Sequence, residues 1–124
     1  MAVLNPYQQY KQQSILTANT GELALLLYNG CIKFIKQSKM ALENKDNEGS
    51  HNANIRAQLI LEEFIATIDM KYDISKNLMM IYEYLHRRLV EANINKNVEI
   101  LDEVLELVTQ LRDSWEEALK MGHR

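Results

Sequence analysis

Proline and glycine are nearly missing from this chain, with one proline and four glycines in 124 residues. That is too few to turn a series of short strands back on one another, so a sandwich or barrel is excluded and an all-helical fold remains. Cysteine occurs once, at Cys31, which rules out an internal disulfide framework. No run approaches the roughly 18 uninterrupted apolar residues of a membrane span, so no membrane insertion is expected. The opening Met1-Ala2-Val3-Leu4-Asn5-Pro6 lacks the basic stretch and long apolar run of a secretion signal, and the expectation is a cytoplasmic protein. A net charge of -3 leaves no electrostatic footprint for nucleic acid. What the chain does have is apolar residues, 47% of the total against 25% charged, the balance of a globular domain with a sizeable core. One domain over 1–124 is expected.

The apolar residues recur at intervals of three and four, which places them on helix faces. Asn5-Pro6 reads as a cap and first helical position, but Tyr7, Tyr10 and Leu16 are too scattered to bury strongly. Residues 1–18 are therefore expected to form a short mobile helical arm, ahead of a bundle over 19–121. Asn19-Thr20-Gly21-Glu22 is a capping-box pattern that starts the first long helix. Its expected core row is Leu23, Leu26, Leu27, Gly30, Phe34 and Ala41, and a second row, Leu25, Tyr28, Ile32 and Ile35, runs round the other side. Residues 43–50 read as a polar loop in which glycine supplies a positive φ.

The second helix places Ala53, Ala57, Ile60, Leu61, Phe64 and Ile68 inward, with Ile55, Leu59, Ala66 and Met70 opposite them. Asp73 reads as the cap of a third helix whose inward row is Ile74, Leu78, Ile81, Tyr82, Leu85, Leu89 and Ala92, leaving Met79, Met80, Tyr84 and Val90 elsewhere on its surface. Asn93 to Asn97 interrupts with cap-forming residues. A fourth helix turns Leu101, Val104, Leu105, Val108, Leu111, Trp115 and Leu119 inward and ends near Met121-Gly122. Four long amphipathic helices joined by short links make an antiparallel up-down four-helix bundle.

Catalytic chemistry finds no footing in this pattern. Glu83-Tyr84-Leu85-His86 contains Glu-x-x-His, but a carboxylate-bridged metal pair needs that motif twice together with two further inward glutamates, and here it occurs once. His51 and His123 do not complete a shell by spacing. Cys31 sits mid-helix among apolar neighbours, where a thiol behaves as a small hydrophobe. No glycine-rich phosphate loop is present, and Gly30 reads as the mark of a close helix crossing. No cofactor, no metal and no enzyme activity are expected. Arg87-Arg88 with Glu83 and Glu91 has the spacing of intrahelical ion pairs, the alternative for the two arginines being an anchor for an acidic partner residue.

The surplus apolar rows are the functional clue. In a four-helix bundle no helix is central, so a second apolar face waits for cover: an arm, a second copy, or a partner segment laid into a groove as an amphipathic helix. Candidate partner-binding residues are Leu25, Tyr28 and Ile32 on the first helix, Ile55, Leu59 and Ala66 on the second, and Met80, Tyr84 and Arg87 on the third.

Several strings in order resemble the flagellar secretion chaperone family, FliS. They are Tyr7-Gln8-Gln9-Tyr10; Gly21-Glu22-Leu23 with Leu27-Tyr28-Asn29-Gly30 and Lys33-Phe34-Ile35-Lys36; Tyr82-Glu83-Tyr84 with Arg87-Arg88-Leu89 and Glu91-Ala92-Asn93; and Glu103-Val104 with Arg112-Asp113-Ser114-Trp115. The family commonly shows Ser-Pro where this chain has Asn19-Thr20, Met at Leu85, and Ala at Ser114, changes that keep capping chemistry or volume. The resemblance implies a non-enzymatic cytosolic bundle that binds the C-terminal segment of flagellin one to one, blocks premature polymerisation and hands it to the type III export apparatus. It further implies that Tyr7 and Tyr10 of the arm occupy part of the client groove in the free protein. The export gate is a further candidate partner, and weak homodimer formation a further expectation for the free chain. The alternative is a helical adaptor or homodimerisation bundle whose second face meets its own copy.

Overall fold

The computed structural model describes residues 20–122. Four helices occupy them: α1, Thr20–Glu43; α2, Asn47–Thr67; α3, Asp73–Asn95; and α4, Val98–Gly122. The expected arm with its helix from Pro6, the Asn19 cap and His123 lie outside the described residues. Each helix packs on the next and α4 closes the ring against α1, so the chain forms an antiparallel up-down four-helix bundle.

The corners explain why the helices stop where they do. Residues 43–50 were expected to be loop, yet only 44–46 separate α1 from α2. The Asp46 carboxylate accepts a hydrogen bond from Gly49 N at 2.9 Å, satisfying an orphan N–H and drawing residues 47–50 into the first turn of α2. The positive φ belongs to Lys45 (60°) and not to a glycine. Gly49 serves a different end: a Cβ there would push aside the Asp46 carboxylate that caps the helix. Asp73 is likewise not the cap of α3. Tyr72 holds that position without a side-chain bond, and Asp73 is the first helical residue, its charge favourable at the positive end of the helix dipole. At the α3–α4 corner Lys96 adopts the left-handed conformation (φ 50°), and Asn97 Oδ1 accepts from Ile100 N at 3.1 Å to start α4.

The core draws on all four helices and is centred on Leu27, Tyr28, Cys31, Ile35, Leu61, Leu85, Leu89, Leu101, Val104 and Val108. This corrects the reading of α1. Tyr28, Ile32 and Ile35 were assigned to a surplus outer row, but they are buried, while Leu23, Leu26, Phe34 and Ala41 of the expected core row are only partly covered. The two rows are the walls of one wide face, because α1 lies against α2 on one flank and α4 on the other. Burial pushes the Cys31 thiol up to about 12, which leaves it unreactive. On α3, Ile74 and Ile81 share the angular position of the core row and are nevertheless exposed (62% and 37%).

One aromatic residue from each helix meets in the interior. Phe64 stacks on Tyr28 (4.6 Å between centroids) and on Tyr82 (5.0 Å), and Trp115 meets Tyr28 edge-on at 6.4 Å. The Tyr28 and Tyr82 hydroxyls bond at 2.5 Å, tying diagonal helices together. Burial raises the pKa of both phenols. Periodicity did not indicate a polar lattice buried on α2: Ser50 shares a bond with Ser38 at 2.9 Å, Asn54 Nδ2 donates to Leu89 O at 3.0 Å, and Gln58 Nε2 donates to Asn54 Oδ1 at 2.7 Å. Among the described residues no buried side-chain nitrogen or oxygen is without a partner.

Candidate client-binding groove

Two of the four seams between helices are bridged by polar contacts at points spread along their length, and a third is closely packed. Along α1/α4 the bridges are Lys39 to Asp102 at 2.8 Å, Arg112 to Asn29 at 2.8 Å, and Trp115 Nε1 to Gly21 O at 2.7 Å. Along α2/α3, His51 meets Asn93 at 2.8 Å, Asn54 reaches Leu89 O, and His86 meets Glu62 at 3.1 Å. Across α1/α2 the approach is close enough that a methyl group on Gly30 would stand 3.3 Å from Ile60 Cδ1, the tight crossing its position suggested.

The α3/α4 seam differs. Among the described residues its only side-chain hydrogen bonds converge on Glu103, from Tyr84 Oη at 2.7 Å and Arg88 Nε at 2.8 Å. These bonds hold the Glu103 carboxyl below the usual carboxylate range and raise the Tyr84 phenol. Towards the N-terminal half of α3 the seam opens into a groove of about 450 Å³ lined by Met80, Ile81, Tyr84, Leu107, Gln110, Leu111 and Ser114. Met80 is 68% exposed on its rim. The opening explains why Ile81 is uncovered although its spacing turns it inward: α4 does not close over that part of α3. The lining is apolar with a few polar edges, suited to the apolar face of an amphipathic segment and lacking any set of groups that would hold a small charged substrate.

The sequence-derived site residues divide accordingly. Met80 and Tyr84 come together in the groove, with Arg87 beside Tyr84. Leu59, 56% exposed, and Ala66 lie on the outer face of α2, with Ile55 partly covered, and form a separate surface. Leu25 is half-buried. Tyr28 (2% exposed) and Ile32 (7%) are core residues, so neither can meet a partner on this bundle. Tyr7 and Tyr10 lie outside the described residues. Leu107 was missed, although as an apolar residue off the α4 core row it carried the signal used on the other helices. Arg88 pairs with Glu91 at 2.6 Å as its spacing indicated, and it also crosses to Glu103; Glu83 joins no ion pair among the described residues. Among the described residues no group of three or more His, Cys, Asp or Glu is placed to hold a metal ion. Nor is any described helix long and apolar enough to cross a membrane.

The family model described as flagellar protein FliS matches residues 3–122. This chain belongs to the FliS family. It is 43% identical over 120 residues to the flagellar secretion chaperone FliS of Bacillus subtilis, covering 97% of this chain and 90% of that protein. It is 29% identical over 122 residues to the flagellar secretion chaperone FliSB of Pseudomonas aeruginosa, covering 94% and 97%. A crystal structure of a flagellar chaperone from bacteria superposes with a TM-score of 0.77 at 20% identity, over 92% of this chain and 94% of that one, and shares this four-helix fold.

Proposed function

We propose that this chain is a cytosolic flagellar export chaperone that binds the C-terminal segment of flagellin one to one, prevents its premature polymerisation and delivers it to the flagellar type III export apparatus. It does so by binding alone, without catalysis. The observation that carries this reading is the open α3/α4 seam, which leaves Met80, Ile81, Leu107 and Leu111 around a groove the bundle does not fill. A terminal segment that polymerises through an amphipathic helix must hide its apolar face until export, and a groove of this kind supplies cover. Because such a segment orders as it binds, part of the interaction energy is lost to ordering, which keeps the complex releasable. Leu59 and Ala66 on the outer face of α2 extend the apolar surface available to a wrapping client. The export gate is the further partner to which the loaded complex passes. Residues 1–18, with Tyr7 and Tyr10, act as an internal competitor for the groove, so that the client binds against the cost of displacing them.

The test is titration calorimetry of the purified chain with a flagellin C-terminal segment, combined with sedimentation of the mixture. A one-to-one complex that suppresses flagellin polymerisation is the expected result. A stable homodimer that binds no segment would overturn the reading in favour of a self-associating adaptor.

A further inference from the structure

Arg87 and Arg88 are adjacent in sequence and opposite in what they do. The Arg88 guanidinium is committed within the fold, Nε to Glu103 Oε1 at 2.8 Å and Nη1 to Glu91 Oε2 at 2.6 Å. The other oxygen of Glu103 accepts the Tyr84 hydroxyl at 2.7 Å, fixing the far end of that ring. Over the ring stands Arg87, its guanidinium carbon 5.9 Å from the centroid. Arg87 is exposed, and no carboxylate of the described residues pairs with it. Its place is between two apolar surfaces. Tyr84, beneath it, lines the α3/α4 groove, and Arg87 itself borders a shallow depression along α3 formed with Val90 and Ile94, the latter 75% exposed, and edged by His86, Asn95 and Glu91, whose carboxylate is taken by Arg88.

We propose that Arg87 anchors a side-chain carboxylate, an Asp or Glu of the amphipathic segment whose apolar face fills the α3/α4 groove, and that Tyr84, Glu103 and Arg88 are positioning residues for it. The proposal rests on the client-binding reading and deepens it by naming a residue that selects among client sequences. A guanidinium offers a planar fork of donors matched to a carboxylate, and stacking on a ring fixes its plane before the client arrives, so less side-chain freedom is lost on binding. Once the segment covers the groove and displaces water, the local dielectric falls and the pair strengthens. The same desolvation penalises a client that places an apolar or basic residue opposite Arg87, because the arginine is then covered without a partner. Arg88 is held away from this role, its Nε bonded to Glu103 and its Nη1 to Glu91.

The experiment is calorimetric titration of a synthetic flagellin C-terminal segment into the full chain and its variants. Arg87→Gln should weaken binding about tenfold, and Arg87→Glu by more, with helical circular dichroism unchanged. Replacing the acidic residues of the segment one at a time by lysine should yield a single swap that restores binding to Arg87→Glu. Tyr84→Phe keeps the ring and removes its bond to Glu103; it should weaken binding about threefold in the wild-type background and not at all in Arg87→Gln, a coupling that a merely structural role would not produce. Wild-type binding that Arg87→Glu leaves unchanged would overturn the anchor while leaving the client-binding reading intact. Loss of affinity on amidating the terminal carboxylate of the segment, with no rescuing swap, would assign Arg87 to the chain end and overturn the side-chain assignment. A wild-type chain that does not bind the segment would remove the client-binding reading and this proposal with it.

Discussion

Helix α4 is fastened along one flank and half free along the other. Against α1 it is pinned at Asp102, Arg112 and Trp115, whereas against α3 its only side-chain hydrogen bonds among the described residues meet at Glu103, and beyond them the groove opens. One helix thus shows side by side what the fold requires and what it leaves available. Where polar groups bridge a seam, the apolar residues beneath are sealed and contribute to stability; where they do not, apolar residues of the same kind stay wet and are left available to a partner. Tyr28 and Met80 make the point as a pair: both were read as partner residues, but the first is core and the second stands on an open rim.

The comparison can be broken most forcefully from the sealed side. Leu61→Ala, in the core beneath the bridged seams, should cost about 2–5 kcal/mol of stability through a cavity that rigid helices do not fill, read from chemical denaturation. Asn54→Ala removes the donor to Leu89 O and the acceptor of Gln58, leaving a buried amide unpaired; a loss of about 1–3 kcal/mol is expected in the same assay. Glu103 sharpens the boundary between the two regimes. Its carboxyl titrates below the ordinary carboxylate range when folded, so its stabilisation is fully present above the unfolded pKa and is lost as pH falls through the folded one. A Glu103→Gln chain should therefore show a flatter decline of thermal midpoint under acid than the wild type, and parallel curves would contradict the assigned role. Leu59→Glu, on the outer face of α2, should move stability by no more than about 0.5 kcal/mol while weakening flagellin binding; an unchanged calorimetric titration would remove that face from the client path.

Much of this arrangement was legible in the residues. Helix number, the up-down order and the inward faces of α2 and α4 follow from three-and-four spacing and from Asn97 as a cap, because these are local rules. What spacing did not resolve was which of two apolar rows on α1 faces inward. A helix between two neighbours buries an arc wide enough to take both, and arc width is a property of the assembled ring. Ile81 failed for the converse reason: its angular position is correct, but burial also needs a helix opposite it, and the α3/α4 seam is open there. The buried Ser50, Asn54 and Gln58 were invisible because polar residues on an inward arc look like solvent contacts until their partners, Ser38 and Leu89 O, are brought near by the fold. The Tyr84, Glu103 and Arg88 cluster was half legible, since Arg88 to Glu91 is a helical spacing and the bond to Glu103 spans two helices.

The role proposed for the arm adds a kinetic expectation. Deleting Met1 to Ser14 should accelerate association with a labelled flagellin segment in stopped-flow mixing and raise hydrophobic-dye binding, since the client no longer waits for the groove to clear. Association no faster than in the full chain, with no additional dye bound, would show that residues 1–14 do not compete.

The central claim, that the unsealed half of the α3/α4 seam receives the client, is tested most directly at Met80. It lines the groove, is 68% exposed and contributes little to the core, so a charge there should be harmless to the fold and harmful to the complex. Calorimetric titration of a flagellin C-terminal segment into Met80→Glu, with the thermal midpoint recorded on the same sample, should show binding weakened at least about tenfold while the midpoint stays at the wild-type value. Wild-type affinity in a normally folded Met80→Glu chain would contradict the account.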